Sequence, residues 1–474
     1  MAVRRLASIA GLAVAALLLA GCSGNDGAPA AAGPTTTRSS TSPSSSSSPE
    51  PSDGAGATAT PTPPGPPGPP HRLRVTTVPA GALVTVAGAD QRTLRGRSPV
   101  AGMVSGPADV TVRMAGYDVV HRRIDLIAAR RLTVWLDPAG LLLASEFRSR
   151  TGPNPKQVAY SPDGRQVWVT LLGSRSHGVQ VFDARTGQLV HVIATGAHGA
   201  VEVLFAPGGR TAYVSQMWTG TVLVIDTATY RIRRVLSTHG TWSKEMALAP
   251  GGRKLYVSNW VSNDVSEIDL RTGHVRLIKT VPTPRGIAVT PDGKHLYVAG
   301  FQDGEIEDIA LASGKGKVLM RTGGAMRHMV LDSRSGTLYV DDMAASKVFA
   351  VDIATDHVRL LARTDHMPNT IDLSPDGKVL YVSCRGANNP VTYALPGPEW
   401  GSVVVIDTAT GRELDAIVGG NQPTGLDVSA DGRHLAFTDF LDDDVRTYAI
   451  PPYATYASGH GGRAESHLAD LPKR

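Results

Sequence analysis

The chain is predicted to be all-β: a seven-bladed β-propeller preceded by a small β-sandwich and a disordered tether. Three observations carry that prediction. Seven variants of one phrase, an apolar run followed by a turn ending in Gly, occupy Val158–Gly164, Val203–Gly209, Met246–Gly252, Ile287–Gly293, Met329–Gly336, Ile371–Gly377 and Leu426–Gly432. Their glycines are spaced 45, 43, 41, 43, 41 and 55 residues apart, and a period of about 40–45 marks four-stranded propeller blades. Residues 73–136 alternate apolar and polar side chains, and residues 25–70 are almost entirely Ser, Thr, Pro, Ala and Gly.

Taken in order, residues 1–21 read as a leader. Arg4 and Arg5 give a positive start, Ala7 to Ala20 is apolar, and Leu19-Ala20-Gly21 precedes Cys22. This three-part form is that of a secretory signal, too short for a spanning helix. The Leu-Ala-Gly-Cys sequence resembles the bacterial lipoprotein box. The resemblance implies that Cys22 is lipidated (a palmitate-bearing membrane anchor) and begins the mature chain. An ordinary cleaved signal with a chance Cys is the alternative. Residues 22–70 cannot bury a core and read as a tether, extended where proline dominates. Lipid and tether together predict display at the cell surface, on the extracytoplasmic face of the cell membrane.

Residues 71–138 follow with the runs Leu73–Val78, Ala82–Ala87, Ala108–Arg113 and Arg131–Leu136. Their period of two, punctuated by Gly and Pro, predicts a small antiparallel β domain. The residues Val78-Pro79-Ala80-Gly81-Ala82, then Ser98-Pro99, then Gly116-Tyr117 resemble the PEGA domain, with Ala80 where that family carries Glu. The resemblance implies a sandwich without catalytic residues, a spacer or adhesion module.

Residues 139–452 are the expected propeller. In most repeats a third apolar run ends in Asp, as in Val179–Asp183, Val222–Asp226, Val265–Asp269, Val348–Asp352 and Val403–Asp407. Such an Asp can hydrogen-bond backbone just downstream and start a turn. With Leu255-Tyr-Val-Ser-Asn259 and Leu296-Tyr-Val-Ala299, these blocks resemble the YVTN-type propeller repeat, related in shape to lactonase-like propellers and the large subunit of methylamine dehydrogenase. The seventh repeat has only three runs before Pro451-Pro452. Leu141–Phe147, which belongs to no repeat, is expected to complete it and close the ring. Residues 453–474 read as a disordered tail.

The net charge of +5 arises from interspersed Lys, Arg, Asp and Glu without a long basic run, which does not argue for nucleic acid. Cys384 has no second partner in the mature chain apart from Cys22, and it reads as a small buried hydrophobe. No nucleophile elbow, phosphate loop, dinucleotide fingerprint or metal-ligand spacing is found. No cofactor, metal or catalytic residue is therefore expected, and a monomer is expected. Asp341-Asp342 and Asp442-Asp443-Asp444 lie on loops and read as solvated carboxylates rather than a cation site.

Aligning the repeats on their glycines brings one residue per blade to the channel entrance: Lys156, Val201, Lys244, Arg285, Arg327, Asn369 and Thr424. Their neighbours include Glu202, Glu245 and His328. Convergent cations on a concave wall favour an anion; alternatively, they pair with Glu202 and Glu245 as a solvated ring. Trp218, Trp260, Phe301 and Phe440, with Trp400 in the insertion 385–401, are expected on the same upper rim. There they either anchor a partner or pack between blades. The reading is a membrane-anchored binding protein for an anionic ligand, a surface protein or a cell-wall partner. The alternative is a funnel-site enzyme of the lactonase-like or quinoprotein (amine dehydrogenase-like) type.

Overall fold

The computed structural model describes residues 68–174, 177–196 and 198–458. The leader, Cys22, the tether to residue 67 and the tail from residue 459 lie outside the described residues.

Alternation in the small domain places Val75, Val84, Val86, Val110, Val112, Leu132 and Val134 in one core between two sheets. One sheet has the strand order Val100–Ser105, Pro70–Val78, Arg130–Trp135. The other runs Thr93–Arg97, Leu83–Gly88, Ala108–Arg113, Val120–Ile124. The domain is thus a sandwich, as expected. It is not wholly antiparallel, however, because Pro70–Val78 pairs parallel with Arg130–Trp135. Three of its strands escape a search for long alternating runs: Thr93–Arg97 and Val120–Ile124 are short and largely exposed, and Gly102 interrupts the apolar pattern of Val100–Ser105.

Seven four-stranded antiparallel sheets follow among the described residues, one per repeat. Blade one, Pro155–Tyr160, Gln166–Leu171, Val179–Asp183 and Leu189–Ile193, sets the pattern, with its first strand innermost. The apolar phrase is that inner strand. In blade one the Pro-Asp-Gly turn is fixed by Ser161 Oγ donating to Asp163 Oδ1 at 2.6 Å and by Gly164 at φ 69°. Asp226 accepts from the backbone N–H of Thr229 at 2.8 Å and its hydroxyl at 2.7 Å. The Thr229 hydroxyl first, then its amide, hold that exposed carboxyl down to about 2. These Asp residues are therefore turn formers on the lower face, as their sequence context implies.

The ring closes as anticipated, with the pairing shifted toward the C-terminal side of the borrowed segment. Ala144–Arg150 pairs antiparallel with Asp444–Ala449 and forms the outer strand of blade seven. Leu143, 2 % exposed, enters the core shared by blades six and seven. Asp415 Oδ2 accepts the Leu142 and Leu143 amides at 2.7 and 3.2 Å.

One correction concerns the tail. Tyr453–Ala457 is a short helix, and Tyr456 is buried beneath it in the blade six and seven core. A single apolar side chain in a polar segment carries too little periodicity to announce such a turn.

Candidate functional site

Neighbouring blades are joined at the channel by a repeated hydroxyl. Thr170, Ser215, Ser258 and Ser383 each accept from an inner-strand amide of their own blade. Each then donates to an inner-strand carbonyl of the next: Val201, Lys244, Arg285 and Thr424. These bonds fix where the entrance residues stand. Blade five substitutes Asp341, whose Oδ1 accepts the His328 amide at 2.6 Å while its buried Oδ2 has no partner. Burial pushes this carboxyl up to about 6, despite the His328 amide bond.

The structure brings the predicted entrance cations together. Lys156 lies within electrostatic reach of Arg327, Arg285, Arg385 and Lys244, and burial followed by these four charges drives its pKa well below the usual lysine range. Lys244 behaves likewise beside Arg285 and Arg327. Arg285 and Arg327 are only 4 % and 7 % exposed. Most of these cations rest on uncharged partners. Lys156 Nζ lies 5.9 Å from the Phe440 ring centroid. Lys244 Nζ lies 2.7 Å from the Met217 sulfur and between the rings of Trp242 and Trp260, at 5.3 and 5.2 Å. Arg327 donates to the Asn369 carbonyl at 3.1 Å and faces the Met343 sulfur at 3.8 Å. Arg385 donates to Gln422 and stacks at 5.7 Å on Tyr393. Arg285 is the exception, with Nη2 3.1 Å from Glu245 Oε1. Arg285 Nη1 and Arg385 Nε are buried without a hydrogen-bond partner.

Below this mouth a polar girdle crosses the channel. The amides of Val158 and Leu426 donate to Gln157 Oε1, both at 3.1 Å, and Gln157 Nε2 donates to Glu202 at 3.1 Å. Glu202 hydrogen-bonds Glu245, and Glu245 Oε2 meets His328 Nε2 at 3.3 Å. The Ile371 amide donates to His328 Nδ1 at 3.4 Å. Burial, then the Glu245 charge, pushes Glu202 well above the carboxylate range. Burial opposes ionisation of Glu245 too, but Arg285 and His328 hold its carboxyl well below that range. The two shifts run in opposite directions because Glu245, not Glu202, meets Arg285 and His328. Two glycines permit the girdle. A Cβ on Gly425 would stand 2.5 Å from Gln157 Cα, and one on Gly286 would stand 2.9 Å from His328 Cα. The girdle is the ceiling of a lower cavity of about 320 Å³ that includes none of the mouth cations. On its wall Asp372 and Asp427 are both pushed up by burial, Asp372 to about 6.

Among the predicted residues, Lys156, Lys244, Arg285 and Arg327 line the mouth, and Glu202, Glu245 and His328 form the girdle. Asn369 is tied across to blade seven, its Nδ2 donating to the Thr424 carbonyl at 2.7 Å. The expected pairing of the cations with both glutamates occurs only between Arg285 and Glu245. Trp260 and Phe301 pack together at 4.7 Å, and Phe440, 7 % exposed, is a cushion for Lys156 rather than an open anchor. Two aromatics belong elsewhere. Met217 takes the mouth position expected of Trp218, which lies one residue on, 38 % exposed and edge-on to Trp242 at 5.2 Å. Trp400 packs at 5.1 Å against Trp135 of the sandwich, because the insertion reaches outward to that domain. Sequence reasoning missed Met217, Trp242, Met343 and Arg385 as site residues. Aligning the residue just after each second strand (Leu172, Met217, Trp260, Phe301, Met343, Arg385, Phe440) would have found three of them.

Asp341, Asp342 and Asp444, expected as solvated loop carboxylates, are instead buried in strands, the first two ending Thr337–Asp342 and the third opening Asp444–Ala449. Asp439, Asp442 and Asp444 approach one another, but Arg446 Nε lies 2.9 Å from Asp439, Arg148 donates to Asp444, and Asn421 binds Asp442. Cys384 is buried and free, and burial pushes its thiol up.

Residues 207–424 match the YNCE-like beta-propeller family. A stretch of 126 residues is 47% identical to Antigen Lp49 of Leptospira interrogans serogroup Icterohaemorrhagiae serovar copenhageni (strain Fiocruz L1-130). That stretch is 26% of this chain, and the chain spans only 28% of the length of that relative. The structure superposes on a chain of Kuenenia stuttgartiensis Hydrazine Synthase with a TM-score of 0.55. The superposition covers 64% of this chain and 98% of the other at 19% identity, which establishes likeness of fold alone. The chain thus carries a β-propeller in which residues 207–424 are similar to the YNCE-like family.

Proposed function

We propose that this protein is a membrane-anchored extracytoplasmic binding protein whose propeller mouth receives an anion. One observation carries the reading: Lys156, Lys244, Arg327 and Arg385 converge at a buried mouth while resting on carbonyls, amides, sulfurs and ring faces rather than on carboxylates. Cations held in low dielectric by neutral groups are costly unless a ligand supplies the missing charge. A funnel enzyme is supported less well. His328, the obvious base, has its Nε2 engaged by Glu245 and its Nδ1 by the Ile371 amide.

The anchor is the leader-derived part of the proposal, and similarity to a protein described as an antigen accords with outward display. Cys22→Ser is expected to move the protein from the membrane fraction to the soluble fraction or medium; unchanged fractionation would remove the anchor from the reading. For the mouth, titration calorimetry of the full chain with inorganic phosphate, repeated on Arg327→Ala, tests the anion. Wild type is expected to bind and the variant to bind more weakly. Equal behaviour would move the site away from the mouth.

A further inference from the structure

We propose that the mouth selects an oxyanion carrying two or more negative charges, a phosphate or sulfate group, and that the protein takes up a proton as it binds. This rests on the reading of the mouth as an anion site and adds the charge of the ligand and the linkage to protons.

The charge count comes first. Five cations, Lys156, Lys244, Arg285, Arg327 and Arg385, share the mouth. Three carboxyls face them from the inner and second strands: Glu202, Glu245 and Asp341. Glu245 is spent on Arg285 and His328. Glu202 is bonded to Gln157, and burial followed by the Glu245 charge pushes it toward its neutral form. Asp341 accepts the His328 amide. In the occupied mouth, with Lys156 and Lys244 as ammonium ions, a single negative charge would leave most of these cations uncompensated. Donor geometry points the same way. Arginine forks match the oxygens of phosphate and sulfate two at a time, and Arg285 Nη1 and Arg385 Nε are buried donors with no acceptor.

The proton follows from crowding. Lys156 and Lys244 stand among Arg285, Arg327 and Arg385, with ring faces and sulfur as their contacts. Burial and like charge both favour their neutral forms. A dianion entering among them offsets the local positive field and favours the ammonium forms. The other titratable groups facing the mouth, Glu202, Glu245, His328 and Asp341, shift in the same direction, toward binding protons.

The test uses sulfate and nitrate with the full chain. Neither ion titrates near neutral pH, so any proton exchanged with buffer belongs to the protein. Calorimetric titrations are run at constant ionic strength in two buffers of different ionisation enthalpy. Sulfate is expected to bind at least about tenfold more tightly than nitrate, and its heat is expected to differ between buffers in the sense of proton uptake. Lys244→Met and Lys156→Met are expected to diminish that difference, and Arg385→Gln to weaken sulfate without altering the melting transition. Equal affinity for the two ions, or heats independent of buffer, would overturn this proposal while leaving the anion site standing. No binding of either ion would overturn both.

Discussion

Removing the borrowed strand should unfold the propeller's seventh blade, whereas removing the sandwich alone should cost markedly less. Consider a chain beginning at Thr151 and one beginning at Ala139. The first loses Leu143, whose full burial in the blade six and seven core is worth about 1.5–3 kcal/mol. It also strips Asp415 of the two amides that satisfy it, a further 1–3 kcal/mol, roughly. Arg148 leaves Asp444, and six paired positions of ladder vanish from an edge that then lies open. The loss is therefore at least about 3–6 kcal/mol, against a total of roughly 5–15 for an ordinary domain. The second chain loses one bond from Tyr448 to Asp137, at 3.2 Å, and the packing of Trp135 over Arg148 and Arg446, at 4.2 and 4.5 Å, and against Trp400 at 5.1 Å. Those amount to about 2–5 kcal/mol, a loss the first chain suffers as well. Urea unfolding followed by tryptophan fluorescence would separate the two midpoints. Coincident midpoints would refute the argument that closure, rather than blade count, secures the ring.

Arg285→Ala should weaken the anion by about 1–3 kcal/mol and, unlike a surface change, should also lower stability, because it leaves Glu245 buried without its guanidinium; a denaturant midpoint equal to wild type would contradict this. Gly425→Ala should cost more than about 2 kcal/mol, since its Cβ meets the backbone of Gln157 at 2.5 Å and neither inner strand can yield; an unchanged melting temperature would show that it can. Asp341 has its carboxyl raised to about 6 by burial, so the folded state binds that proton more tightly than the unfolded chain. Its contribution is fully present below about pH 4 and lost as pH rises through about 6, a swing on the order of 3 kcal/mol. Asp341→Asn should abolish that part of the pH profile and stabilise the protein at neutral pH; a profile identical to wild type would show that Asp341 ionises freely.

Blade number, blade boundaries and lower-face turns were legible because each depends on contacts within about forty residues: continuous apolar runs, a Gly at positive φ, an Asp capping its own turn. The closing strand was legible by subtraction, since blade seven lacks a fourth run. Lys156, Lys244, Arg285 and Arg327 were legible as a set because a repeat fold converts equal sequence position into equal height in the channel. The rim was read one residue out of step at Trp218, where the aromatic residue type rather than repeat position drew attention. Trp400 was misplaced because a long insertion has no repeat partner to fix its direction.

The sequence by itself therefore determined that seven similar sheets surround a channel with cations at one end, because those facts follow from local pattern and its recurrence. Only the tertiary structure decided which charges are neutralised. Glu245 meets Arg285 and His328, while Glu202, one blade away and chemically identical, meets Gln157 and is pushed by burial toward its neutral form. That choice depends on side-chain reach across blade boundaries and on backbone approach at Gly286 and Gly425, distances set by the closed ring and carried by no single repeat.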